Sequence, residues 1–281
     1  MTTAPIHPAT SQEPTLIPGA SNPRFVAVFA WYVKRLLRKK FFALRLTDGS
    51  QKLLQEVRNT EQPLLVLFTH SSWWDPLIGF FLGHKYMPER SAIAPMDAQQ
   101  LQKFSFFRKV GIFGIDPENP ASLVTMKQYV AQHFASNPRP SLFLTPQGRF
   151  ADPRADLTIR PGAAAVAASH KGCIALAVCM EYAFWIDQNP EVFIHIRRIN
   201  ADGDSTPSWQ RAIVRDMGEA RGELASLVIA RNPEMFDVIH GGPPSTNPLY
   251  DLYLRMRGRS NQISLDHRPV NENTDRLKVG S

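Results

Sequence analysis

The sequence predicts a single layered α/β domain built on a mixed sheet, and three observations predict it. Apolar segments rich in branched and aromatic side chains alternate with helical stretches. No linker or shift in composition divides the 281 residues, and apolar residues make up 43% of them, enough for a substantial core. The domain is expected over 24–254, with a disordered tail at 1–23 and a polar tail at 255–281.

Taken in order, residues 1–23 hold five prolines with several Ser and Thr and no basic start leading into an apolar run. They read as a loose tail rather than a signal peptide. Residues 24–46 read as a basic amphipathic helix. Phe29, Val33, Leu36, Leu37, Phe41 and Leu44 recur at helical spacing, while Lys34, Arg35, Arg38, Lys39, Lys40 and Arg45 supply cations. Such a helix lies in the headgroup layer of an anionic membrane with its apolar stripe down. The plainer alternative is a surface helix packed on the domain. A span is excluded, because the unbroken apolar run from Phe25 to Val33 has nine residues and crossing needs about 20.

Strands are expected at 64–69, 91–96, 112–115, 141–145, 173–181 and 191–199. Helices are expected at 76–82, 98–110, 121–134, 162–170 with Gly172 as a stop, and 217–231. Cys173 and Cys179 are six apart, so in a strand they point to one face without bonding, which suits free buried thiols in a reducing cytoplasm. With His170 they make an H-x2-C-x5-C pattern that lacks a fourth ligand, so no metal site is expected.

The net charge of +7, from 32 basic and 25 acidic residues, implies an anionic partner. The cations cluster beside an apolar stripe rather than among stacking aromatics, which favours a membrane surface over nucleic acid. There is no G-x-S-x-G elbow, no phosphate-binding G-x4-G-K-[ST] loop and no G-x-G-x-x-G after a strand, so hydrolase, nucleotide and hydride chemistry lose support.

The most informative segment is His70-Ser71-Ser72-Trp73-Trp74-Asp75, directly after the apolar run 64–69. A strand ending in histidine holds a general base on a rigid edge, and a carboxylate five residues on can return to its ring and fix the tautomer. The other reading of Asp75 is a helix N-cap, since Pro76 suits the first helical position. Trp73 and Trp74 lie between the two and either shape an apolar slot or pack in the core. Gly148, in the turn 145–149, either aims backbone N–H groups and Arg149 at an anionic oxygen or simply allows a tight turn. Arg160 precedes a helix start that favours anions.

These segments resemble the glycerolipid acyltransferase family typified by bacterial 1-acylglycerol-3-phosphate acyltransferase. The H-x4-D spacing, with Ser72 and Pro76, resembles its first motif. Gly111-Ile112-Phe113-Gly114-Ile115-Asp116 resembles the second, and Phe143-Leu144-Thr145-Pro146-Gln147-Gly148-Arg149 the third. Arg160-Pro161-Gly162-Ala163-Ala164-Ala165 resembles the helix start after the third block, and 174–178 occupies the fourth. Departures accompany the matches. Pro117 stands where the family has a phosphate-gripping arginine, Gln147 replaces a glutamate, Arg149 falls one residue early, and Ala177 replaces a proline.

The resemblance implies an O-acyltransferase with His70 as general base and Asp75 orienting it. Trp73, Trp74, Gln147, Gly148, Arg149 and Arg160 are then the expected substrate-binding residues. It implies an acyl thioester donor, acyl-coenzyme A or acyl carrier protein, a lipid acceptor, and no cofactor. The missing arginine points to an acceptor such as a glycolipid. The alternatives are lysophosphatidate acylation for phospholipid synthesis, with Arg149 compensating, and a non-catalytic lipid-binding protein. The expected location is the cytoplasmic face of the cell membrane, held peripherally.

Overall fold

The computed structural model describes residues 16–185 and 187–241. In chain order the strands are β1 (Ala43–Thr47), β2 (Leu64–Phe68), β3 (Ser91–Asp97), β4 (Ile112–Ile115), β5 (Pro140–Leu144), β6 (Ile174–Ala183), β7 (Glu191–Ile199) and β8 (Phe236–Gly241). The helices are α1 (Pro23–Lys40), α2 (Ser50–Arg58), α3 (Asp75–Tyr86), α4 (Ala98–Lys103), α5 (Ser122–Ser136), α6 (Gly162–Ala168) and α7 (Thr206–Ala230). The strands form one sheet in the order β4-β3-β5-β2-β6-β7-β1-β8. From β4 to β6 every neighbouring pair is parallel, and β7 is parallel to β1. The β6–β7 and β1–β8 pairs are antiparallel, so the sheet is mixed.

Helices cover both faces, which explains why β2 is apolar at every position instead of alternating. Leu64, Val66 and Phe68 point to the side of α1, α2 and α3, meeting Leu37, Leu54 and Ile78. Leu65 and Leu67 point to the other side, with Met126 of α5, Val166 of α6 and Ile213 of α7. The starts of the central strands are tied by buried Arg90. Its guanidinium donates to the backbone carbonyls of Val57, Thr60, Gln62 and Pro140, and burial lowers its pKa to about 10.

Several expectations are corrected. The helix expected over 24–46 ends at Lys40, where Phe41 turns extended, and 43–47 is strand β1. Leu44 and Leu46 fit helical spacing in sequence, but pairing with β7 on one side and β8 on the other satisfies the β1 backbone and buries both. Arg45 is therefore no membrane cation. It is buried in an ion pair with Glu191, its guanidinium 5.5 Å from the centre of the Trp185 ring.

The apolar stripe of α1 is also turned inward. Val33 and Leu37 are fully buried, and Phe29 packs edge-on against Phe80 of α3. A packed surface helix is what the chain makes here. The part of the expected tail from Leu16 to Asn22 is laid along β4, where Ile17 and Gly114 exchange backbone hydrogen bonds of 2.9 and 2.7 Å and cover the sheet's edge. The expected polar tail at 255–281 lies outside the described residues.

Helix α2 and strand β8 were not anticipated. Helix α7 starts at Thr206 rather than 217, because Ser205 caps it by accepting from the Ser208 N–H. The helix expected over 98–110 breaks at Phe104 into a 3-10 turn, Ser105–Val110. Both cysteines are free and buried, and burial pushes each thiol up to about 12.

Gly111 closes that 3-10 turn at φ +92°, and a Cβ there would sit 2.4 Å from the Ala92 carbonyl oxygen. Gly111→Ala is expected to lower the unfolding free energy by about 1–3 kcal/mol. Urea denaturation reads this directly, and an unchanged midpoint would contradict the packing described.

Candidate active site

The parallel strands place their carboxyl ends along one edge of the sheet, where open α/β sheets collect ligands. Past the end of β2 the chain stays locked to β6: the Thr69 N–H donates to the Val178 carbonyl at 3.1 Å, and its hydroxyl accepts from the Met180 N–H at 3.1 Å. His70 comes next, and its backbone is held from the loop after β5. Its N–H donates to Gln147 Oε1 at 2.8 Å, and its carbonyl accepts from the Ala151 N–H at 2.8 Å. The Phe150 ring lies over the imidazole with centroids 4.2 Å apart.

Asp75 opens α3, yet its side chain caps nothing in that helix. The N-cap reading is replaced by a different role. The carboxylate turns back, and Oδ2 accepts from the Ser71 N–H at 2.7 Å, the Ser72 N–H at 2.8 Å and His70 Nδ1 at 3.1 Å. Its other oxygen, Oδ1, accepts from the Tyr182 hydroxyl. Because a carboxylate only accepts, Nδ1 carries the imidazole proton and Nε2 keeps a lone pair. Among the described residues Nε2 has no hydrogen-bond partner, and the side chain keeps 15% exposure.

Tyr182 was missed from the sequence. The even-numbered residues of β6 face the α1–α3 layer, and Tyr182 continues the row of Leu176, Val178 and Met180 with a hydroxyl at its end. That polar terminus on an apolar row was the available signal. It becomes specific only once β6 is known to lie beside β2.

The turn after β5 needs glycine, since Gly148 sits at φ +67° and a Cβ would come within 2.9 Å of Arg160 Cδ. The Arg160 N–H donates to the Pro146 carbonyl at 2.9 Å, and its guanidinium donates to the Pro117 carbonyl at 3.1 Å and to Glu118 Oε1 at 3.3 Å. Arg160 thus fastens the loop after β4 to the loop after β5. Beside His70, a cavity of about 220 Å³ is lined by Gln147, Arg149, Phe150, Ala151 and Asp152. Arg149 has no ion-pair partner among the described residues.

The structure therefore brings His70, Asp75, Gln147, Gly148 and Arg149 to one edge. Trp74 turns away to pack edge-on against Phe41, with centroids 5.2 Å apart, whereas Trp73 stays 63% exposed. Gln147 is buried and serves the His70 backbone. Gln147→Leu, which orphans that N–H, is expected to lower the unfolding free energy by about 1–3 kcal/mol. A denaturation midpoint equal to wild type would show that the bond contributes nothing.

Residues 50–181 match the family model described as Acyltransferase. Among solved structures, the chain is similar to the crystal structure of the 1-acyl-sn-glycerophosphate (LPA) acyltransferase PlsC from Thermotoga maritima. The identity is 14%, over 72% of this chain and 79% of that one, with a TM-score of 0.49. No curated protein matches. The matched segment runs from the start of α2 into β6 and contains His70, Asp75 and the Gly148 turn, and over that segment the chain is similar to acyltransferases.

Proposed function

We propose that this acyltransferase moves a fatty acyl group from an acyl thioester to a hydroxyl of a lipid acceptor at a membrane surface. The observation that carries the reading is the oriented imidazole, with Nδ1 on Asp75 and Nε2 unpartnered at the carboxyl edge of the sheet. Nε2 takes the proton of the acceptor hydroxyl, and the oxygen attacks the thioester carbonyl carbon. The tetrahedral intermediate expels the thiolate, which recovers the proton from the imidazolium. The products are an ester and a thiol, with no acyl-enzyme between them. Asp75 stabilises the imidazolium while it exists.

The donor is coenzyme A or an acyl carrier protein thioester, for whose phosphates Arg149 is the available cation. Where the family resemblance calls for an arginine, this chain presents Pro117, so the acceptor is one that does not depend on a phosphate monoester, such as a glycolipid. His70→Ala is expected to lower transfer from labelled acyl-coenzyme A by about 10²–10⁴-fold with the melting temperature retained. Glycolipid acceptors should outperform lysophosphatidate in the same assay. Turnover by His70→Ala near the wild-type rate would end the assignment, and efficient wild-type use of lysophosphatidate would end the acceptor reading.

Membrane contact, in this reading, uses a different face of α1 from its buried stripe. Val28, Trp31 and Tyr32 are exposed on neighbouring turns, and Phe106 of the 3-10 turn is also exposed and packs beside Phe29. Exposed Lys34, Arg35, Arg38 and Lys39 follow along the helix, each worth about 1 kcal/mol near an anionic surface. No helix among the described residues is long and apolar enough to cross a membrane. In this reading the enzyme is held peripherally on the cytoplasmic face of the membrane. Trp31→Ser with Tyr32→Ser is expected to weaken flotation with phosphatidylcholine–phosphatidylglycerol vesicles by about tenfold. Equal flotation would move the contact elsewhere.

A further inference from the structure

We infer that Tyr182 is a positioning residue of the acyl-transfer site, setting the orientation and basicity of His70 through the far oxygen of Asp75. The inference rests on the reading of His70 as general base and extends it to a residue one position beyond the segment matched by the family model.

Asp75 has a fully buried side chain, so both carboxylate oxygens must be satisfied from within the protein. Oδ2 takes two backbone N–H groups and the imidazole, all from residues 70–72. These contacts hold the carboxylate through one oxygen only. Tyr182 supplies the second point of attachment, its hydroxyl donating to Oδ1. Held at both oxygens, the carboxylate resists rotation about its Cβ–Cγ bond, and Oδ2 stays facing Nδ1.

The donor comes from β6, whose register against β2 is fixed from Ile174 to Val178. The ring itself packs 6.0 Å from that of Phe41. The hydroxyl is thus positioned by the sheet rather than by a loop. Burial, with the adjacent Asp75 charge, pushes the phenol pKa far up, so it remains a donor throughout the working pH range.

The groups facing the imidazole are few. Helix α3 supplies Asp75, and β6 supplies Tyr182 behind it. The loop after β5 supplies the Phe150 ring, with Arg149 and the mutually paired Asp152 and Arg154 nearby in that loop. Of these, the phenol alone acts on the carboxylate from the side opposite His70. Its hydrogen bond draws charge toward Oδ1 and leaves less of it facing Nδ1. Without it, the imidazolium is stabilised more strongly and persists to higher pH.

Tyr182→Phe removes one oxygen and keeps the ring. Its expected effects are a kcat about tenfold lower with KM within about twofold, and an acidic limb of the kcat/KM profile displaced upward by roughly half to one pH unit. The His70 imidazole titration, followed by NMR on the substrate-free protein, is expected to move by the same amount. In an Asp75→Asn background the same substitution should leave that titration unmoved, because its route is through the carboxylate. Replacing Tyr182 with 3,5-difluorotyrosine, a stronger donor, should shift the titration downward and serves if the phenylalanine variant does not fold.

A His70 midpoint unmoved by either replacement, or a shift of equal size in the Asp75→Asn background, overturns the inference and reduces Tyr182 to packing. The NMR readout needs no turnover. If His70→Ala kept its activity, the acyl-transfer reading would fail while the coupling between Tyr182 and His70 was still decided on its own evidence.

Discussion

The site depends on one buried carboxylate. Asp75 has no access to water, and a carboxylate withdrawn from solvent is tolerated only when hydrogen bonds replace the hydration it has lost. The donors come from three places: the backbone of the turn 71–72, the His70 ring and the end of β6. Each is fixed by a different part of the fold. The turn is set by the short distance between β2 and α3, the ring by the clamp on the His70 backbone, and the phenol by the register of β6 on β2. The tautomer of the imidazole follows from this arrangement.

Around that anion, the parallel half of the sheet gathers the loops after β2, β4 and β5 at one edge. They are then joined to one another by specific bonds. Gln147 and Ala151 hold the backbone of His70, and Arg160 spans from the Pro146 carbonyl to Pro117 and Glu118. His70, the proposed general base, therefore sits on a braced platform, a requirement for reacting groups that must be held to a fraction of an ångström. Arg160, expected to meet substrate, also braces these loops. Arg149 lines the adjoining cavity and has no ion-pair partner among the described residues.

The amphipathic helix shows how one pattern can serve two surfaces. Phe29, Val33 and Leu37 form a true helical stripe, and the stripe is buried because α3 lies beneath it. Hydrophobic periodicity reports that a face leaves water, not what receives it. The exposed aromatics Trp31 and Tyr32 lie outside the buried stripe, and they stand out only after the stripe has been assigned to the core.

Taken by itself, the sequence determined the fold class, the six strands from 64 to 199 that are apolar runs or alternate clearly, the pairing of His70 with Asp75, and the glycine at 148. Each is a local property: a run, a five-residue spacing or a backbone angle that glycine readily adopts. Tertiary structure alone decided the rest. It made 43–47 a strand, since Leu44 and Leu46 obey both periods until β7 and β8 pair with them. It turned Asp75 away from its own helix, drew Arg45 into the core against Glu191, and brought Tyr182 to Oδ1 from 107 residues away. Contacts of that range depend on strand order and register, which are set by the packing of the whole sheet and leave no mark on any short stretch of chain.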